Sequence, residues 1–387
     1  MSTLPSRSAA LAMLALLLAA TPARAGTPPD PVLFAFPGAV QAPADAVDAG
    51  TGLATLWLGE RPTANPAFRA ARGVELSPAM VRMSRQDLRA PNHNFDEQSA
   101  FIDAAGGWIG MPLGSVMAFA YASQPVLRLE DNAFTRGRIP DPSVAPATLQ
   151  TQGTTREVRA GAGLSWERGS WRVGAAGEWT VRDDRYMVKE TSGSPTAGTR
   201  TTTFKGSALG VALGARVASA ANAASEPRVV AGIAGRWLPP LDLTGDDRFQ
   251  NASTDTVTRL AINRASSWEG GASLRVLAGR GFHLIGQVTA HGGRDWQGIG
   301  LSTGEGGSWS IGGEVRDPEA PWTFRFGFGQ EEQHGVPEPS AGLIALGFGW
   351  SFEGTRIDLG VLHRTISRNN LPHFYDDRIL ATVGVDF

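Results

Sequence analysis

Six histidines, His93, His283, His291, His334, His363 and His373, are the side chains best suited to bind a metal or move a proton at neutral pH. On a strand, His283 and His291 share one face, but their spacing sets them about 27 Å apart, too far to hold one ion. No cysteine occurs, which removes disulfides, thiolate metal sites and thiol nucleophiles together. Neither G-x-S-x-G nor H-E-x-x-H is present, and no serine stands beside a histidine in a phospholipase or deacylase pattern. The acidic pairs Asp183-Asp184, Glu331-Glu332 and Asp376-Asp377 fall at expected strand ends. Solvated loops, or divalent cations bridging lipopolysaccharide, explain them better than acid–base catalysis. The sequence therefore offers no catalytic set, no metal site and no cofactor motif. With 35 basic against 37 acidic residues there is also no electrostatic footprint for nucleic acid.

The remaining charges with a pattern lie within alternating segments. From Trp171, the residues Trp171, Val173, Ala175, Gly177, Trp179 and Val181 share one face, and Arg172, Gly174, Ala176, Glu178, Thr180 and Arg182 share the other. The first face suits lipid and the second a wet or packed lumen. Arg216, Arg236 and Arg325 are expected to point inward in the same way. These arginines could select a carboxylate-bearing substrate, or could pair structurally with lumen acids such as Glu178. Trp322, Phe324, Phe326 and Phe328 alternate with Thr323, Arg325, Gly327 and Gly329, and Ile357, Leu359 and Val361 alternate with Arg356, Asp358 and Gly360. The eleven tryptophans fall mostly near expected strand ends, as aromatic belts require.

About fourteen such segments can be marked: 74–84, 101–110, 115–127, 155–166, 170–182, 203–218, 227–238, 266–278, 281–291, 307–316, 321–331, 340–352, 355–366 and 376–387. Short connectors such as Glu167 to Gly169 and Glu353-Gly354 alternate with long ones, Arg128 to Thr154, Asp183 to Thr202 and Pro239 to Ala265, expected as outer loops. The fold class is therefore all-β, a transmembrane antiparallel barrel. The 48 glycines gain a use as inward-facing and turn residues. Residues 1–25 read as a cleaved signal peptide: Arg7, the apolar run Ala9 to Ala20, then Ala23-Arg24-Ala25. No later run is long and apolar enough for a membrane helix. Residues 26–73 form no ten-residue strand, and are expected to be either a periplasmic tail or a hatch plugging a barrel too wide to fill with its own side chains. Residues 74–387 make the barrel.

The C-terminal stripe Ile379, Ala381, Val383, Val385 and Phe387 is similar to the last strand of bacterial outer-membrane barrels, which their assembly machinery reads. The chain also resembles the FadL/TodX-type outer-membrane channels for long-chain fatty acids and aromatic hydrocarbons. Ala49 to Ala67 ends on Asn65-Pro66-Ala67, like the hatch of that family. Ala122-Ser123-Gln124-Pro125-Val126 resembles its proline-containing end of strand three. Val230 to Trp237 followed by Leu241 to Asp246 looks like its mid-barrel strand and loop, and Phe324 to Gly329 and Ile357 to Gly360 sit where it places R-x-G and D-x-G motifs. Leu56 to Arg61 departs from the acidic pair usual in the hatch.

The resemblance implies passive uptake of hydrophobic compounds, long-chain fatty acids or related molecules, across the outer membrane of a Gram-negative bacterium. The ligand would be captured among outer loops and released past the hatch or sideways at a strand kink. Gln124-Pro125 is a candidate kink, because proline removes a ladder hydrogen bond; a strand end at the outer rim is the alternative reading. Expected partners are outer-membrane lipid and lipopolysaccharide, an apolar small molecule, and the barrel-assembly machinery with periplasmic chaperones. Three other classes stay open. They are a porin for small polar solutes, a lipid-modifying enzyme with serine, histidine and acid on the outer barrel face, and a structural or adhesive barrel.

Overall fold

Period-two alternation gives each segment one apolar face that suits lipid, where the backbone groups along its edges find no water, so the chain pairs strand to strand until the sheet closes. A computed structural model describes residues 43, 45–68, 73–90, 93–136, 147–191, 198–219, 227–297, 301–316, 319–335, 339–368 and 371–386. Its strand segments begin with β1 (Gly73–Ala90), β2 (His93–Asp103), β3 (Gly106–Leu113), β4 (Val116–Arg136), β5 (Ala147–Arg168) and β6 (Trp171–Thr191). They continue with β7 (Gly198–Ala218), β8 (Val229–Leu238), β9 (Leu241–Asn251), β10 (Asp255–Arg264), β11 (Ser267–Gly279) and β12 (Phe282–His291). The last are β13 (Arg294–Gln297), β14 (Leu301–Arg316), β15 (Trp322–Gly335), β16 (Pro339–Phe352), β17 (Thr355–Arg368) and β18 (Leu371–Asp386). In four cases, β2/β3, β8/β9, β10/β11 and β12/β13, two segments are one wall strand interrupted by a bend, so the wall has fourteen antiparallel strands. β1 pairs with β18 from Gly73 opposite Asp386 to Gln86 opposite Phe374, which closes the barrel and leaves no edge.

Each expected segment falls on a wall strand and covers the part nearer the chain termini; 340–352 and 355–366 cover almost all of β16 and β17. The expected long loops are corrected. Most of Arg128 to Thr154, Asp183 to Thr202 and Pro239 to Ala265 is strand, through the upper halves of β4 to β7 and through β9 and β10. The acidic pairs expected in loops are likewise within strands. Asp184 and Asp376 turn inward to Arg182 and Arg378, while Asp183 and Asp377 turn outward. The signal-peptide region and Phe387 lie outside the described residues; Val383 and Val385 face outward.

The lower half of the wall is apolar outside. Trp166, Trp171, Trp322 and Trp350 form an outer belt near the terminal rim, and Trp179, Trp237, Trp268 and Trp309 form a second one above it. Leu213, Ile233, Leu274, Val288, Ile311, Phe326 and Leu346 lie exposed between them. Two aromatic belts bounding an apolar band mark a membrane-spanning wall. Trp57, Trp108 and Trp296 depart from the belt expectation and are buried inside.

Above the upper belt the alternation changes phase. Arg236 is inside and Trp237 outside, but past Pro239-Pro240 it is Leu241 and Leu243 that are buried while Asp242 and Thr244 are exposed. Two consecutive residues without an N–H break the ladder, and the alternation slips by one. The same slip recurs at Ala265-Ser266 and Gly292-Gly293, in line with it. A second bend line crosses β1, β2/β3 and β4, where register shifts between Leu76 and Ala79 and between Ser123 and Val126 flank the break at Ala104-Ala105.

Candidate functional site

Residues Asp45 to Phe68 lie inside the barrel against most of its wall. They begin with a short helix, α1 (Ala46–Gly50), capped by Asp45, whose carboxylate accepts from the backbone N–H groups of Val47 and Asp48 at 2.7 and 2.9 Å. They continue as turns. Inward-facing glycines make the fit possible: a Cβ on Gly360 would overlap the Ala46 carbonyl, one on Gly327 that of Thr51, one on Gly232 that of Trp57, and one on Gly174 that of Pro66. The glycine excess is thus a bed for this inner segment.

Asn65 is fully buried and clasps the segment. Its Nδ2 donates to the Trp57 carbonyl at 2.8 Å, and its Oδ1 accepts from Ala67 N–H at 2.9 Å. Pro66 rests on Gly174. Beyond Ala67, Phe68 packs edge-on to Trp108 and Phe119, with ring centroids at 5.1 and 5.3 Å, and its carbonyl accepts from Arg172 at 2.7 Å. Trp57 Nε1 donates to Thr289 Oγ1 at 2.9 Å. Near the helix, Arg61 faces Asp45 at 2.5 Å and Glu75 at 2.6 Å. Burial pushes the Asp45 carboxyl up to about 8, with Arg61 pulling the other way, and Asp48 is raised for the same reason.

Above the inner segment, charged side chains bridge the lumen. Arg159 on β5 reaches Glu269 on β11 at 2.7 Å, although β6, β7 and β8 separate those strands in the wall. Glu157 accepts Arg264 and Arg159, both at 3.2 Å, and lies 3.7 Å from Arg182. Arg236 pairs with Glu178 at 3.1 Å and Glu269 at 2.6 Å, and donates to the Thr63 carbonyl at 2.7 Å. Arg216 donates to the Leu58 carbonyl at 3.1 Å, and Arg325 pairs with Glu314 and Asp358 at 2.8 and 2.7 Å. The six charges expected in the lumen are all buried there. Each arginine among them is bound to a carboxylate or to the inner segment's backbone, which supports their structural reading.

Higher still, Phe204, Leu241, Leu243, Ile262 and Trp296 form an apolar cluster on the inner face of the upper wall, flanked by Tyr186 and Leu260. The guanidiniums of Arg182 and Arg264 stand 4.7 and 5.8 Å from the Trp296 ring centre. Sequence reasoning missed this cluster. Its signal was the phase slip at Pro239-Pro240, which turns Leu241 and Leu243 inward.

At the candidate kink, β4 and β5 pair up to Ser123 with Arg159 and resume at Val126 with Glu157, so Gln124-Pro125 oppose one residue. Gln124 is buried, and its N–H donates to Ala105 at 2.9 Å, bridging to the neighbouring break. Pro125 lies within β4, not at its end. Among the described residues no group of His, Asp and Glu is placed to hold a metal.

No family model and no curated protein matches the sequence. Solved structures do match in fold. A FadL homologue of Pseudomonas aeruginosa aligns at 12% identity and a TM-score of 0.60 over 90% of this chain and 99% of its own. The Pseudomonas putida toluene transporter TodX aligns at 12% identity and 0.59, over 90% and 98%. The Ralstonia pickettii toluene transporter TbuX aligns at 12% identity and 0.55, over 89% and 98%. The resemblance read from short motifs thus holds at the level of architecture: the chain is a closed fourteen-stranded barrel with the fold of the FadL/TodX-type channels.

Proposed function

We propose that the chain is an outer-membrane channel for passive uptake of hydrophobic compounds, long-chain fatty acids or related apolar molecules. The observation that carries this reading is the filled lumen. Among the described residues, the inner segment and the ion pairs above it occupy the lumen where a porin would need an open, charge-lined pore, and an apolar cluster lies above them. An apolar molecule gains about 25 cal/mol per Å² on leaving water for such a surface, with no energy source required. In this reading Asp45 to Phe68 act as a hatch. The ligand leaves past that hatch or sideways at Gln124-Pro125, where the β4–β5 ladder is interrupted. The names of the solved neighbours, a FadL homologue and toluene transporters, agree with it. Location in a Gram-negative outer membrane, after removal of a signal peptide, is part of the same proposal.

Proteoliposome uptake of labelled oleate against a labelled polar solute is the direct test. Oleate is expected to enter faster, and equal rates would sink the proposal. Deleting residues 26–73 should sharply raise ion conductance, and unchanged conductance would remove the hatch.

A further inference from the structure

Three polar residues that the transport reading does not use sit together on the outer face of the wall. His363 on β17 lies opposite Asp377 on β18, and its Nδ1 is hydrogen-bonded to the Asp377 carboxylate. Its Nε2 is 3.1 Å from Oγ1 of Thr365, two residues further along the same face. Tyr375, opposite Thr365, stacks on the imidazole with ring centres 6.0 Å apart. With Nδ1–H donated to the carboxylate, Nε2 is left as the acceptor for the threonine O–H. That is the chain of contacts by which an acid orients a base and the base activates a hydroxyl.

Its position selects a substrate. The residues below it on the same face, Leu359, Val361 and Ile379, are exposed to the lipid side, and so is Ile344 on β16 beside His363. His363 stands eight residues above the start of β17, as Trp179 of the upper belt stands eight above the start of β6. The three residues are therefore level with the head-group boundary of one leaflet, where acyl ester bonds lie. Gly342 faces Thr365 across the β16–β17 ladder, and no described residue occupies the space over its Cα, so a carbonyl has room to approach.

We infer that Thr365, His363 and Asp377 form an interfacial hydrolytic site for an acyl ester of a membrane lipid, independent of the lumen. Thr365 Oγ1 attacks the ester carbonyl while Nε2 takes its proton. The carbonyl–oxygen bond of the ester breaks, and the leaving alkoxide takes that proton from Nε2. Water then cleaves the acyl-threonine, giving one proton to Nε2 and from there to Oγ1. Ester and water become acid and alcohol. Asp377 is a positioning residue that holds the imidazole in the productive tautomer.

The test uses the full chain in vesicles of phosphatidylethanolamine, and separately with lipopolysaccharide, with fatty-acid release read by mass spectrometry. Release is expected from at least one. T365V and H363A should each lower it roughly 10²- to 10⁴-fold, T365S should retain it, and D377N should lower it with a changed pH profile. A fluorophosphonate should add its mass to the peptide carrying Thr365. Heat-modifiable gel mobility checks that each variant is a folded barrel. No release from either lipid, or release by folded T365V equal to the parent, would overturn the assignment.

Discussion

At the scale of single residues, Asn65 is the clasp of the inner segment, because one amide both donates to Trp57 and accepts from Ala67 while fully buried. Asn65→Ala leaves a buried carbonyl and a buried N–H without their partner, about 1–3 kcal/mol for each. The expected outcome is protease cleavage within residues 45–68 and a higher ion conductance, with unfolding of the barrel itself unchanged. If the segment stays protected in folded N65A, the clasp role is wrong. Asp45 makes docking pH-dependent. Docked, its carboxyl titrates at about 8, against an ordinary 3.8 for a carboxyl released into water. Docking thus takes up a proton between those values, so its stabilisation is complete at low pH and is lost as pH rises through about 8. Protease sensitivity of the segment should grow over that range, and Asp45→Asn should flatten the dependence.

At the scale of elements, the lower halves of the strands were legible because lipid outside and charge inside make a period-two pattern as plain as Trp171 to Arg182. Even the inward direction of Arg172, Glu178 and Arg325 followed from it. The upper halves were not, because nothing there alternates strongly. Gly198 to Thr202 reads G-T-R-T-T, with no apolar residue to separate a strand from a loop. The partners of the lumen charges were also illegible, since Arg159 and Glu269 meet across the barrel and no sequence spacing records that. Glu157 shows what such pairing costs to disturb. It is fully buried and holds Arg159, Arg182 and Arg264. Glu157→Gln keeps the shape but takes from Arg264 its carboxylate, while Arg159 and Arg182 keep Glu269 and Asp184, so a loss of about 3–5 kcal/mol is expected in urea unfolding. Adding Arg264→Met to that variant should return part of the loss, as coupled neighbours do. Strictly additive effects would mean the two side chains do not share one network.

At the scale of the whole molecule, strand length and polarity together say how far the barrel stands out of the membrane. Each of β4 to β7 has 21 or 22 residues. At about 3.3 Å per residue and a tilt of about 40°, such a strand rises roughly 50 Å, twice an apolar band of about 25 Å. The lower half is therefore dissolved in lipid, and the upper half, polar outside and carrying an apolar cluster beside buried charges such as Asp247 and Arg264 inside, stands in water. Two outward residues of similar exposure test this division. Leu346, 54% exposed, lies between the aromatic belts, and Val257, 60% exposed, lies on β10 above the bend line. Leu346→Arg puts a charge in hydrocarbon and should cost about 2–4 kcal/mol, measured by guanidinium unfolding in liposomes. Val257→Arg puts the same charge in water and should change stability by less than about 0.5 kcal/mol. Equal costs at the two positions would mean the membrane reaches past Pro239-Pro240.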